Sequence, residues 1–147
     1  MAKQTLKFEI VSADRVVYSD DVDVVIAPGA MGELAVLPNH APLMTALDIG
    51  EIRVRKDGQE VELFTNGGFL EVNANKVIVL ADSAERAEEI DITRAEAARK
   101  RAEERLKAHP PDMDMTRAEA ALKRAVTRLQ IGQRRRKGAG VPPMHSS

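Results

Sequence analysis

Six arginines stand in two copies of one spacing, and the chemistry that arrangement offers is the binding of anions. Arg94, Arg101 and Arg105 are seven and then four residues apart, and Arg117, Arg124 and Arg128 repeat the pattern. At 3.6 residues per turn each trio runs along one face of a helix. A guanidinium fork pairs bidentately with phosphate or carboxylate. Two such stripes side by side repel unless an anion or an acidic partner comes between them. Arg99 has Glu103 four residues on, and Lys100 has Glu96 and Glu104 within reach, the ordinary pairing of a solvated face. Arg101 has only Glu104, three residues away, and no acidic residue stands three or four positions from Arg124 or Arg128. From Arg117 to Lys137 there are eight Lys/Arg against one acid, Glu119. A basic helix kept soluble by its own charge is the plainer explanation of the same cluster.

The arginines belong to an internal repeat. Asp91–Leu106 reads DITRAEAARKRAEERL and Asp114–Leu129 reads DMTRAEAALKRAVTRL, identical at twelve of sixteen positions with an offset of twenty-three residues. Each copy carries the capping-box spacing, at Thr93–Glu96 and at Thr116–Glu119. Asp91 and Asp114 precede them, where the helix dipole favours negative charge. His109-Pro110-Pro111-Asp112 stops the first helix, because proline supplies no amide and displaces its predecessor from helical geometry. So short a connection predicts an antiparallel hairpin. Its packing stripe reads Ile92, Ala95, Ala98, Ala102 and Leu106 on one helix, and Met115, Ala118, Leu122, Ala125 and Leu129 on the other. Alanine permits close approach but buries little, and helices of this length are marginal alone. The hairpin is expected to be held weakly, so that a ligand or a charged partner can set its position.

The remainder must supply the rigid scaffold. Residues 1–84 carry 7 Lys/Arg and 13 Asp/Glu, and residues 85–147 carry 15 and 10, so the net charge of −1 hides an acidic first part and a basic second part. All four aromatics, Phe8, Tyr18, Phe64 and Phe69, lie in the first part and are expected in its core. Period-two alternation places Phe8 and Ile10 inward, then Val22, Val24 and Ile26, then Ile52 and Val54, then Val61 and Leu63. Leu70–Val72 and Val77–Ala81 are more uniformly apolar and predict central strands. Turn residues punctuate the series at Pro28-Gly29, Pro38-Asn39, Asn66-Gly67-Gly68 and Asn73–Asn75, and Lys56-Asp57-Gly58-Gln59 is the clearest hairpin. The fold class is α+β, mainly β: a flattened antiparallel β-sandwich or barrel, then a C-terminal antiparallel two-helix hairpin. The domains are 1–86 for the sandwich, 87–137 for the hairpin and 138–147 for a flexible Gly/Pro-rich tail.

Catalytic chemistry finds little purchase. His40, His109 and His145 are scattered over a strand loop, a helix turn and a tail, with no carboxylate pair or Gly-rich phosphate loop beside them. His40 reads as a loop hydrogen-bonder and Glu33 as a solvated strand end. The absence of cysteine excludes disulfides, thiolate zinc sites and thiol nucleophiles. No apolar run approaches the roughly 20 residues that span a bilayer, and the first ten residues lack a signal-peptide core, so membrane association is expected only through a partner.

One stretch resembles a known family. Gly32-Glu33-Leu34-Ala35-Val36-Leu37-Pro38-Asn39-His40-Ala41-Pro42-Leu43, followed by Thr45-Ala46-Leu47, is similar to the signature of the epsilon subunit of F-type ATP synthase. Gly67-Gly68-Phe69-Leu70-Glu71-Val72 and Val79-Leu80-Ala81-Asp82 match its later strands in the same order, and the resemblance covers about Thr5 to Ile131. It implies a sandwich of about ten strands seated on the gamma subunit and the c-subunit ring, as part of the rotating central stalk. By motif position, the loop holding Glu33 meets the c ring and His40 lies near the gamma contact. Ile90-Asp91-Ile92-Thr93-Arg94-Ala95 matches the family's nucleotide motif, I/L-D-x-x-R-A, and Glu85, Arg101, Arg124 and Arg128 stand at the remaining family positions. The resemblance thus implies regulatory binding of one ATP by Glu85, Asp91, Arg94, Ala95, Arg101, Arg124 and Arg128. The triphosphate would lie between the arginine stripes, Asp91 would stand near the adenine, and Glu85 would orient an arginine. There is no P-loop and no dedicated metal site, so the expected role is sensing rather than hydrolysis.

When the hairpin opens, the resemblance implies that its basic second helix approaches an acidic loop of the catalytic beta subunits and blocks rotation in the hydrolysis direction. It also implies a peripheral position on the cytoplasmic face of a bacterial plasma membrane, or the stromal face of a thylakoid in a plastid. The Arg134–Lys137 run extends past the usual family end. A different class remains available from the residues alone: an adaptor binding nucleic acid through its basic helical tail. The acidic sheet and its few aromatics speak against that adaptor, since they form no evident stacking platform.

Overall fold

The computed structural model describes residues 3–140 of the chain, with side chains described as far as Arg135. Among the described residues eight strands form: β1 (Leu6–Val11), β2 (Val16–Val22), β3 (Val24–Gly29), β4 (Gly32–Val36), β5 (Leu43–Lys56), β6 (Gln59–Asn73), β7 (Lys76–Ala81) and β8 (Ala84–Arg86). They join in the order β2-β1-β7-β6-β5-β3-β4, with β8 on β6. Neighbours are antiparallel except β1 and β7, which run parallel. Those two are remote in the chain, so no hairpin dictates their direction.

Two long strands account for the layered arrangement. β5 and β6 pair from Leu43↔Val72 to Lys56↔Gln59, and the pairing is interrupted where Asp48 stands opposite Gly67. On its other edge β6 gives its first half to β8 and its second half to β7. Counting β5 and β6 as two segments each, the eight strands supply the ten or so of the expected sandwich. Glycine marks the interruption for a steric reason. Gly68 has φ +121°, and a Cβ there would lie 2.2 Å from the Leu80 carbonyl oxygen. The β5–β6 turn places Asp57 and Gly58 at φ 52° and 79°, the left-handed pair a two-residue hairpin requires.

The core lies between the layers. Phe8, Ile10, Val25, Ile52, Leu63, Leu70, Val77 and Val79 are fully buried, and the Phe8 and Tyr18 rings pack at a centroid distance of 6.1 Å. Two expectations fail here. Val24 and Ile26 do not continue the inward phase of Val22: a bend at Asp23 ends β2, and in β3 it is Val25 and Ala27 that are buried. The bend adds one residue to the count, and one residue reverses every side chain beyond it. Phe69 is not in the core either, being 58% exposed on the outer face of β6.

A 3-10 turn at Ala87–Glu89 leads into α1 (Ile92–Ala108), and α2 (Met115–Gly140) follows a six-residue connection. Contacts divide the chain into two compact units, Met1–Arg86 and Ala87–Ser147. The helix caps differ from the expected Thr-x-x-Glu boxes. Asp91 is the N-cap of α1, in extended geometry, and its carboxylate accepts from the Arg94 amide at 3.0 Å. Asp114 does the same for Arg117 at 3.2 Å. An aspartate two residues before each threonine adds a charge that the helix dipole rewards, so the helix begins there. At the other end of α1, His109 takes left-handed geometry (φ 49°) and its amide donates to the Arg105 carbonyl at 3.0 Å. α2 continues to Gly140, taking in the first residues of the expected flexible tail, whose remainder (141–147) lies outside the described residues.

Candidate functional site

The hairpin unit closes through small residues. Ala95 and Ala102 of α1 and Ala118, Ala125 and Leu129 of α2 are buried, and the repeat puts Ala95 and Ala102 in register with Ala118 and Ala125. Gly132 fixes the alignment. A Cβ built on it would stand 3.1 Å from Ile90 Cγ2 and 3.2 Å from Ile92 Cγ1, so the far end of α2 lies against the start of α1.

Antiparallel packing of two copies of one segment has a geometric consequence. The copies are related by an approximate twofold axis normal to the pair, which keeps like residues on the same broad face. Each arginine trio lies about a quarter turn from the buried alanines, in the same sense in both helices. Both trios therefore occupy one face of the hairpin. With Gly132 level with Ile92, Arg101 and Arg124 stand abreast near the axis. Arg94 and Arg128 lie toward the start of α1, and Arg105 and Arg117 toward the connection.

The substitutions between copies concern charge. Arg99 is held by Glu96 and by Glu103, the latter at 2.7 Å. The Arg99 hydrogen bond keeps the Glu96 carboxyl below its ordinary pKa, and the same pairing raises that of Arg99. Glu96 thus serves Arg99 rather than Lys100. In α2 the places of Arg99, Glu103 and Glu104 are taken by Leu122, Val126 and Thr127, so the acidic ladder is gone. Among the described residues no ion pair holds Arg94, Arg101, Arg105, Arg117 or Arg124. Arg128, partly buried, does make a polar or electrostatic contact of its own.

The structure distributes the other sequence-selected residues as follows. Asp91 is exposed, and one of its oxygens is occupied in capping α1. Ala95 is buried, so its methyl contributes close packing. Glu85 belongs to the sandwich unit, on β8 opposite Phe64, and has a polar contact there or elsewhere in the chain. Glu33 is exposed on β4 and is paired with Arg53 at 3.3 Å, close to the fully exposed Met31 at the β3–β4 turn. His40 is exposed, with Nδ1 2.6 Å from the Ala41 carbonyl. Its loop is anchored because Asn75 accepts from the Asn39 amide at 2.8 Å and donates to the Thr5 carbonyl at 2.9 Å.

Sequence reasoning missed a second feature of the sandwich. Across β5, β6, β7, β1 and β2, the register lines up Ala46, Phe69, Leu80, Val11 and Val16 in one continuous row. Phe69, Leu80 and Val16 are each more than half exposed, and Met44, two residues before Ala46 on the same face, is 67% exposed. An apolar band of this kind on an outer sheet face is a candidate docking surface. The signal lay in the run Val77–Ala81, whose apolar character extends to the outward positions Ile78 and Leu80. Among the described residues no cluster of His, Asp and Glu is placed to hold a metal ion, and no helix is long and apolar enough to cross a membrane.

Comparison with known proteins agrees with both units. The family models for the delta/epsilon chain of ATP synthase match residues 5–87 as its beta-sandwich domain and 88–133 as its long alpha-helix domain. The Arg134–Lys137 run begins just past that match. An ATP synthase epsilon chain of Dehalococcoides mccartyi is 54% identical over 93% of this chain and 97% of its own length. One from Pelotomaculum thermopropionicum is 58% identical over 72% of this chain and 79% of its own. A chain in the Euglena gracilis mitochondrial ATP synthase structure (OSCP/F1/c-ring) shares the fold, with TM-score 0.65 and 23% identity over 93% of this chain and 82% of that one. A Tetrahymena thermophila mitochondrial ATP synthase chain (central stalk/c-ring) does so at TM-score 0.56 and 16% identity, over 92% and 98%. The chain belongs to the ATP synthase delta/epsilon family, among its epsilon chains, a class of non-catalytic stalk subunits.

Proposed function

We propose that the chain couples the gamma subunit to the c ring in the central stalk of an F-type ATP synthase, and that its hairpin senses ATP and restrains hydrolysis. The sandwich is the mechanical part. Its apolar outer row gives a face on which a partner subunit can exclude water, and the loops at Glu33 and His40 supply polar contacts at its rim, to the c ring and to gamma. Association with a membrane, at the cytoplasmic face in a bacterium, then comes through the complex.

The hairpin is the regulatory part, and one observation carries this reading: twin helices bring two arginine trios onto the same face, where among the described residues no ion pair holds Arg94, Arg101, Arg105, Arg117 or Arg124. A triphosphate across Arg94, Arg101, Arg124 and Arg128 relieves the repulsion between the stripes, with Asp91 beside them at the start of α1. Without nucleotide, the same cations can meet an acidic loop of the catalytic beta subunits when the arm extends. ATP at the hairpin then opposes inhibition, because the two states use the same side chains. The test is calorimetric titration of the full chain with ATP and ADP, repeated on Arg101→Ala/Arg124→Ala. Saturable heat with ATP that the double variant loses supports the sensor. No heat at millimolar nucleotide leaves a purely mechanical subunit.

A further inference from the structure

We infer that Gly132 is a positioning residue for the nucleotide segment: it is the notch through which the far end of α2 docks on Ile90 and Ile92, the two residues flanking Asp91. This inference rests on the nucleotide reading above for its functional consequence, though not for its geometry. Gly132 is buried inside a helix, where glycine is unfavourable, so something other than helix propensity keeps the position small. Both flanking isoleucines approach it more closely than a Cβ comfortably allows, at 3.1 and 3.2 Å. The approach spans the hairpin, so the start of α1 is set by α2 as well as by its own cap.

The repeat gives an independent reason to single out this position. Twenty-three residues earlier stands His109, where α1 ends in left-handed geometry. α2 passes through the equivalent point and continues to Gly140. Glycine is the residue best suited to a left-handed helix end. Docking on Ile90 and Ile92 thus carries α2 past the place where its twin stops, and Gly132 is where the helix can end once undocked.

The chain has no cysteine, so the notch can be watched directly. Labels at Ala97→Cys and Gln130→Cys, both exposed positions on facing helices, report the separation of α1 and α2 near the notch. Gly132→Val should remove the short-distance population without nucleotide, although valine is a better helix former than glycine. If the closed fraction falls to about a tenth, apparent ATP affinity falls about tenfold. The milder Gly132→Ala should open the pair partly, and Ile92→Ala added to it should restore closure by freeing one of the two contacts, a rescue that general helix damage would not show. An unchanged distance distribution in Gly132→Val, or no rescue by Ile92→Ala, overturns the notch. An opened distance with no ATP binding even in the unsubstituted chain supports the notch and removes the nucleotide reading alone, whereas an opened distance with ATP affinity retained overturns the positioning role of Gly132.

Discussion

The two units are built on opposite principles of packing. The sandwich buries Phe8, Phe64, Leu6, Ile10, Ile52, Leu63 and Leu70 completely. The hairpin closes on four alanines, a glycine and three larger side chains, Ile90, Leu129 and Ile131. A buried Leu-sized side chain contributes about 1.5–3 kcal/mol, and alanine a small part of that. A thick core fixes one geometry, whereas on the proposed reading a thin seam lets a bound anion decide the state of the hairpin. The fixed unit suits a part that transmits torque, and the marginal unit suits one that responds.

The contrast can be broken most forcefully from the sandwich side. Phe8→Ala should cost about 3–5 kcal/mol in urea unfolding, because the cavity cannot collapse between two sheets. Leu129→Ala in the hairpin should cost about 2 kcal/mol, the low end for such a truncation, since the thin seam can close over the gap. Equal costs would mean that the hairpin is as firmly packed as the sandwich. Next come the caps: Asp91→Ala and Asp114→Ala should each remove about 1 kcal/mol of helix stability, seen as reduced far-ultraviolet ellipticity on warming. If Thr93→Ala and Thr116→Ala matched that loss, the threonines would share the capping.

Smaller effects sharpen the same comparison. Ala74 holds φ 50° in the β6–β7 turn, so Ala74→Gly should stabilise the sandwich by up to about 1 kcal/mol and leave the hairpin alone. The sandwich should also show an acid limb. The Lys56 hydrogen bond holds the Asp20 carboxyl below its ordinary pKa, and Lys3 does the same for Asp23. A carboxyl with a lowered folded pKa contributes stability that is full above its unfolded pKa and is lost as pH falls through the folded one. Sandwich stability should therefore decline below about pH 4, and Asp20→Asn should flatten that decline. An unaltered acid limb in Asp20→Asn would assign it to other carboxylates.

Much of this organisation is legible in the sequence. The repeat, the proline stop and the alanine stripe together determine an antiparallel hairpin, since helical period and loop length leave few alternatives. Alternation gave the strands, but failed at Asp23, where one extra residue in a bend reverses the inward phase and pattern alone cannot say whether a run is one strand or two. The caps were misplaced by two residues because a charged aspartate outcompetes the threonine box beside it. Composition places Phe69 with the core aromatics and Leu80 in a central strand, and only the register across three strands shows both on one outer face. The arginine spacing was readable as two stripes, whereas their sharing a face needed the antiparallel register that Gly132 reveals.

Hydrogen exchange of the intact chain, with and without ATP, bears most directly on the division between the units. Amides of α1 and α2 should exchange far faster than those of β1, β6 and β7, and saturating ATP should slow the helical amides while leaving the strands unchanged. Helical amides as protected as the strands and indifferent to ATP would contradict it.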